Sequence, residues 1–168
     1  MFDRRTKNVT IFKDSMEMMS ENERLQQAIK ESVEKQTLYL EAENVEIPES
    51  NASKCRTLVS TGRSFETASR YARNGKKVCV LNFASATNPG GGVVHGSSAQ
   101  EESLCRCSTL YPCLDIDKMW QEFYTPHRRA GNPLYNDDCL YTPGVIVLRV
   151  IFHFRKEWRK KTGIRWMF

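Results

Sequence analysis

Two neighbouring carboxylates, Glu101 and Glu102, lie a short distance after a run of three glycines, Gly90 to Gly92. Glycine has no Cβ, so this backbone can adopt positive φ and lie close against a ligand. Its N–H groups can form an anion-binding concavity, and a helix that begins near Ala99 adds free N–H groups that favour a phosphate. A carboxylate pair at the same place suits general acid and base work on a sugar. The combination predicts a site for a ligand that contains both phosphate and ribose.

Other nucleotide-binding loops do not fit these glycines. A Walker-type loop requires Gly-x-x-x-x-Gly-Lys-Ser/Thr, and although Gly91 and Gly96 have the glycine spacing, Ser97 stands where the lysine is required. The Gly-x-Gly-x-x-Gly pattern of Rossmann folds is absent. Taken alone, the two glutamates could equally be acidic residues that stabilise a helix start, and the glycines an ordinary flexible loop. Their combination at this spacing favours the site.

The elements that must position this site follow a strand–helix–strand pattern. Residues 56–60 and 77–83 are predicted strands, and between them Ser64 is a candidate N-cap and Gly75 a candidate C′ residue of a helix. This order predicts a parallel crossover unit, in which ligands bind beyond the carboxyl ends of the strands. The glycine loop leaves from the carboxyl end of the second predicted strand.

The remaining pattern is mainly helical before this unit and mixed after it. A one-sided helix face is predicted in residues 15–42, and residues 37–40 fit either a short strand or the end of that helix. After the glycine loop, a helix over residues 99–110 is predicted to stop at Tyr111 and Pro112, with a second helix over 117–124. Strands are predicted at residues 139–142 and 145–148.

The stretches NFASATNPGGG and QEESLCRCSTLYP resemble the microbial type of the poly(ADP-ribose) glycohydrolase family, which carries Gly-Gly-Gly, seven residues and then Gln-Glu-Glu. The likeness runs from about residue 56 to residue 148 and is weaker in the N-terminal third. The resemblance implies a macrodomain fold and hydrolysis of ribose–ribose glycosidic bonds, which releases ADP-ribose without a metal or cofactor. It implies poly(ADP-ribose) or an ADP-ribosylated protein as the partner.

The resemblance also assigns roles to single residues. Glu102, the second glutamate of the motif, would be the catalytic acid and base, and Glu101 would hold ribose hydroxyls. Gln100 would either do the same or fix the loop, and Asn88 would either bind the ribose or stabilise the turn before Pro89. The backbone of the glycine loop would cradle the diphosphate, so the remaining substrate-binding candidates are Gly90, Gly91, Gly92 and Val93.

We therefore expect an α/β fold, a macrodomain-like three-layer α/β/α sandwich with an N-terminal helical extension. Residues 1–53 would be an accessory helical segment, 54–148 the catalytic core and 149–168 an atypical basic tail. In that tail the sequence departs from the family, because it lacks the second phosphate loop and the adenine-stacking aromatic residue that the resemblance implies. The macrodomain would then be incomplete at its C-terminal end. Two alternatives stay open: a non-catalytic ADP-ribose-binding macrodomain and an inactive fragment.

Composition sets the remaining expectations. The 168 residues, 40% hydrophobic and 27% charged, fit one globular domain. Residues 149–168 hold seven Lys or Arg and one acid, a net charge of +6, so the rest of the chain carries 5 − 6 = −1. The basic character belongs to the tail, and no specific nucleic-acid binding is expected. No apolar run approaches the length of about 20 residues of a membrane helix, and we expect a cytoplasmic protein. The six cysteines are expected to be reduced thiols and not metal ligands.

Overall fold

The computed structural model describes residues 3–43 and 55–148. The helices are α1 (Arg4–Glu21), α2 (Glu23–Glu34), α3 (Ser64–Arg73), α4 (Gln100–Arg106), α5 (Leu110–Leu114), α6 (Asp117–Met119) and α7 (Thr125–Ala130). A 3₁₀ turn, Val93–His95, precedes α4, and a π-helical turn, Trp120–Tyr124, joins α6 to α7. The strands β1 (Thr37–Tyr39) and β2 (Cys139–Tyr141) complete an α/β arrangement. No helix in the described ranges is long and apolar enough to cross a membrane.

The N-terminal third is more helical than its sequence pattern indicates. The predicted amphipathic face lies in α2, where Ser32 is buried, but α1 already begins at Arg4. Asn22 separates the two helices, and its side chain accepts hydrogen bonds from the amides of Arg24 and Leu25 at 3.0 and 3.2 Å. Asn22 is therefore the N-cap of α2.

Helix α1 packs into the same hydrophobic core as the helix that carries the two glutamates. Phe12 is 7% exposed, and its ring meets that of Tyr111 edge to face with centroids 4.9 Å apart. Ser15 Oγ donates a buried hydrogen bond of 2.7 Å to the carbonyl oxygen of Arg106 in α4. The buried members of this core are Phe12, Phe65, Val93, Leu104, Cys105, Cys107, Leu110, Leu114 and Val147. The division of the chain at residue 53 stays a prediction.

Truncation of Phe12, the core residue of α1, should destabilise the folded chain. For Phe12→Ala we expect a loss of about 3–5 kcal/mol in the free energy of unfolding, because a large buried ring is replaced by a cavity. Urea unfolding followed by circular dichroism measures the difference. Met18→Ala is the matched control, because Met18 lies on the same helix and is 43% exposed. Equal midpoints for the two variants would show that α1 does not belong to the core.

The two strands pair antiparallel, with Thr37 opposite Tyr141 and Tyr39 opposite Cys139. The strand prediction at residues 139–142 is therefore confirmed, and residues 37–40 form a strand and not a helix end. Residues 145–148 instead dock on the segment after α4. There the Thr109 amide donates to the Ile146 carbonyl at 2.9 Å, and a single antiparallel bridge joins Ser108 to Val147.

The strand predictions at residues 56–60 and 77–83 are wrong for the structure as described, and the parallel crossover unit between them is not formed. A strand exists only through hydrogen bonds to a neighbouring strand, and none within the described ranges pairs with these residues. Several of their apolar side chains are exposed, Val59 at 96% and Phe83 at 72%, whereas Val80 packs against the main core. Sequence pattern identified residue types that suit a strand but could not supply the partner.

The helix boundaries are corrected by one to four residues. Arg63 is the N-cap of α3 and Ser64 its first residue, whereas Gly75 follows the helix with φ +72° as predicted. Helix α4 ends at Arg106, and Pro112 does not stop a helix but lies in the first turn of α5. Proline is tolerated there because the first amides of a helix have no intrahelical acceptor.

Candidate active site

The first turn of α4 carries Glu101 and Glu102 into the interior, and Gln100 is half-buried beside them. Glu101 is 3% and Glu102 7% exposed. Successive residues on a helix point about 100° apart, so the two carboxylates meet different parts of the chain. Glu101 faces the segment around residues 82–85, and Glu102 faces the glycine loop.

One oxygen of Glu102 is held and the other is not. The amide of Gly92 donates to Oε1 at 3.0 Å. Oε2 is buried and accepts no hydrogen bond from the described residues. Buried polar atoms nearly always have partners, so this oxygen is an acceptor whose partner the described residues do not supply.

Glu101 is held at both oxygens. The Ser85 amide donates to Oε2 at 2.8 Å, and Asn82 Nδ2 lies 3.4 Å from Oε1. Burial raises the pKa of Glu101, and the charge of Glu102 raises it further. Hydrogen bonds from Ser85, Asn82 and the backbone of Gly90 act in the opposite direction.

Gln100 joins α4 to the segment that precedes the glycine loop. Its Oε1 accepts from the Phe83 amide at 2.9 Å, and its Nε2 donates to the Leu81 carbonyl at 2.8 Å. A second contact from Nε2 reaches Ser64 Oγ at 3.3 Å. These contacts suit the loop-fixing alternative, and direct contact with a ribose stays a prediction.

The glycine loop is tightly apposed to both carboxylates. Gly90 and Gly91 have φ of +66° and +57°, which residues with a side chain rarely adopt. A Cβ on Gly91 would lie 2.7 Å from Oε1 of Glu102 and 3.1 Å from Oε2 of Glu101. The glycine motif and the glutamate motif therefore meet in space, as their combination in the sequence predicts.

The loop amides have partners within the chain in this state. The Gly91 amide donates to the Asn88 carbonyl and the Val93 amide to the Gly90 carbonyl, both at 3.1 Å, while the Gly92 amide binds Glu102. The side chain of Val93 is 0% exposed and belongs to the core, so its contact with a ligand stays a prediction. The diphosphate cradle stays a prediction.

Arg106 is a residue of the site that sequence reasoning missed. It is 3% exposed, and its guanidinium donates to the Ser97 carbonyl and to Ser103 Oγ. The Ser97 amide in turn donates to the Gly92 carbonyl at 3.1 Å, so a series of hydrogen bonds links Arg106 through the loop to Glu102. The i, i+4 spacing of Glu102 and Arg106 on one helix was the available signal.

The cysteines near the site are packing groups. Cys105 and Cys113 are 0% exposed, and burial raises the pKa of Cys113 to about 12. Cys113 Sγ donates to the Thr109 carbonyl at 3.1 Å. Among the described residues, no group of three or more His, Cys, Asp or Glu side chains is arranged to hold a metal ion.

Comparison with known proteins places this site in a family. The family model "Microbial-type PARG, catalytic domain" matches residues 6–150. The crystal structure of the poly(ADP-ribose) glycohydrolase (PARG) from Thermomonospora curvata is similar at 29% identity and a TM-score of 0.75, covering 88% of this chain and 58% of that chain. The structure of poly(ADP-ribose) glycohydrolase from the same organism bound to the inhibitor ADP-HPD is similar at 28% identity and a TM-score of 0.70. That match covers 88% of this chain and 57% of that chain.

The chain therefore spans less than three fifths of the length of the Thermomonospora curvata protein. No curated protein sequence matches it. The family model nevertheless extends from α1 to just beyond the segment that docks on Ser108, which is most of the chain. By this match the chain belongs to the family of microbial-type poly(ADP-ribose) glycohydrolase catalytic domains.

Proposed function

We propose that this chain acts as a poly(ADP-ribose) glycohydrolase, which hydrolyses ribose–ribose glycosidic bonds and releases ADP-ribose. The observation that carries the proposal is the state of Glu102. One of its oxygens is held by the Gly92 amide, and the other is buried and has no partner among the described residues. A carboxyl group oriented at one oxygen, with the other directed to a reacting atom, suits general acid and base catalysis.

In this mechanism Glu102 donates its proton to the leaving ribose oxygen as an oxocarbenium-like centre develops. The resulting carboxylate then accepts a proton from the incoming water, which attacks the same carbon. The bond from Gly92 holds Oε1 throughout, so the proton is exchanged at Oε2. Glu101, oriented by Ser85 and Asn82, would accept hydrogen bonds from ribose hydroxyls.

The related enzyme supports the ligand class. The Thermomonospora curvata protein has been solved with ADP-HPD bound, and this chain places the positive-φ residue Gly91 directly against its carboxylate pair. We assign the diphosphate and the adjoining ribose to this loop, with poly(ADP-ribose) or an ADP-ribosylated protein as the substrate. The TM-score of 0.75 to a family member likewise supports a macrodomain-like three-layer sandwich as the finer fold.

The experiment is ADP-ribose release from poly(ADP-ribose) by the purified chain, quantified by chromatography, with ADP-ribose binding measured by calorimetry. We expect both release and binding. Binding without release would overturn the hydrolase proposal in favour of a reader domain. Absence of both, in a sample that unfolds in one cooperative thermal transition, would overturn the ligand class as well.

A further inference from the structure

An arginine on α7 donates hydrogen bonds to the turn that leads into the glycine loop. Arg128 Nε donates to the carbonyl oxygen of Thr87 at 2.7 Å, and its Nη2 donates to Oδ1 of Asn88. The face of the guanidinium lies 4.6 Å from the ring centroid of Trp120. A planar fork that donates to two neighbouring acceptors while stacked on an aromatic ring fixes both position and orientation.

This contact decides which end of the Asn88 amide faces outward. Arginine has donors only, so the side-chain oxygen of Asn88 must be the atom that meets Arg128. The side-chain nitrogen then points the other way, and one of its two hydrogens goes to Thr87 Oγ1 at 3.1 Å. The second hydrogen is directed to neither of these partners, so Asn88 keeps the capacity to donate one further hydrogen bond.

A second group of side chains fixes the Trp120 ring on which the arginine lies. Trp120 Nε1 donates to Oδ1 of Asp115 at 2.8 Å, and the hydroxyl of Tyr111 donates to Oδ2 of the same carboxylate at 2.9 Å. The ring of Tyr111 in turn lies where a Cβ on Gly90 would meet it at 2.7 Å. Asp115 thus links Trp120, which packs on Arg128, to Tyr111, which packs on the glycine loop.

We propose that Arg128 is a positioning residue, which locks Asn88 as an N–H donor toward a ribose hydroxyl of the ADP-ribose unit. The proposal rests on the proposed function for the identity of the ligand. The turn at residues 87–90 is held at one end by Arg128 and at the other by Tyr111. Rotation of Asn88 by a half-turn of its amide would place an N–H against the guanidinium, and Arg128 prevents this.

Kinetics of three variants test the positioning. Arg128→Gln removes the fork, and we expect kcat/KM to fall about ten- to a hundredfold together with ADP-ribose affinity, because a misplaced Asn88 loses its contact with the ribose hydroxyl both before and during the reaction. Arg128→Lys keeps the charge but donates as a single point and should be intermediate. Arg129→Gln is the matched control, with the same loss of charge on the same helix and no contact to the turn among the described residues. It should stay within about twofold.

Asn88→Asp tests the orientation itself. The carboxylate keeps its acceptor toward Arg128 but has no N–H for the ligand. We expect the turn to stay ordered while ADP-ribose affinity falls at least about tenfold. Wild-type affinity and turnover in this variant would overturn the donor assignment.

Hydrogen–deuterium exchange separates this proposal from the proposed function, because it needs no activity. Peptides that cover residues 85–93 should exchange faster in Arg128→Gln than in the wild type. In Asn88→Asp and Arg129→Gln the same peptides should exchange at the wild-type rate. Peptides from α1 should not change. If the wild type fails to cleave poly(ADP-ribose), the hydrolase proposal falls while the exchange pattern still decides on Arg128. Unchanged exchange in Arg128→Gln, or a kcat/KM equal to that of Arg129→Gln, would overturn the positioning role.

Discussion

Replacement of Glu102 with glutamine is expected to lower the turnover of poly(ADP-ribose) by about 10²- to 10⁴-fold, the usual contribution of a general acid or base. Glutamine has nearly the same shape, and its amide oxygen can accept the 3.0 Å hydrogen bond from Gly92. Its nitrogen then occupies the position of Oε2, which is buried and without a partner in the described structure. An amide at that position cannot give a proton to the leaving oxygen, so the chemical step fails while the site keeps its form.

The measurement is steady-state release of ADP-ribose, together with ADP-ribose affinity by calorimetry on the same preparations. For Glu102→Gln we expect affinity within a few-fold of the wild type. Glu101→Gln should instead weaken ADP-ribose binding. An amide group cannot accept hydrogen bonds at both of its ends, as the Glu101 carboxylate does from Ser85 and Asn82. Retention of more than about a tenth of wild-type turnover in Glu102→Gln would show that another group carries the proton.

The parts of the site that the sequence predicts correctly are those encoded over short distances. The motif spacing brings Gly91 against Glu102 across only eleven positions, and α4 begins at Gln100, close to the predicted start. The positive φ of Gly90 and Gly91 follows from their lack of a side chain. These features require only a turn followed by a helix.

The features that sequence reasoning missed depend on residues far apart in the chain. Arg128 contacts Asn88 from 40 positions away, and nothing in the local pattern around either residue indicates this pairing. Asn8 on α1 donates to the carbonyl of Gly96 at 2.9 Å across 88 positions, so the N-terminal helix shapes the glycine-loop side of the site. A helix is specified by its own residues, but the surface on which it packs is not.

The same reasoning accounts for the incorrect strands. Residues 77–83 have the apolar composition of a buried strand, yet in the described structure Leu81 and Phe83 are bonded by the side chain of Gln100 and not by another strand. Strand pairing is non-local, whereas helix hydrogen bonds form within one segment. Prediction from a single sequence is therefore more secure for the α4 region than for the segments that should form a sheet.

Substitution of Gly91 by alanine is expected to have the second-largest effect on activity, at least about a 10²-fold loss in kcat/KM. The left-handed φ of +57° alone costs a residue with a Cβ about 1–2 kcal/mol. The added Cβ would also lie 2.7 Å from Oε1 of Glu102 and 3.1 Å from Oε2 of Glu101, so the Glu102 carboxylate must shift and that of Glu101 is crowded. A displacement of about 1 Å at a reacting group can cost roughly 10²-fold in rate.

Gly75→Ala separates backbone strain from the collision with the carboxylates. Gly75 has a comparable φ of +72°, and a Cβ there would meet nothing within 4 Å. Both variants should lose the stability that backbone strain costs, and Gly91→Ala more because of the collision, but only Gly91→Ala should lose activity. The double variant with Glu102→Gln then identifies the cause, because two changes that act through one carboxylate are not additive. The double variant should be about as slow as Glu102→Gln alone, whereas a full multiplication of the two losses would show that Gly91 acts independently of Glu102.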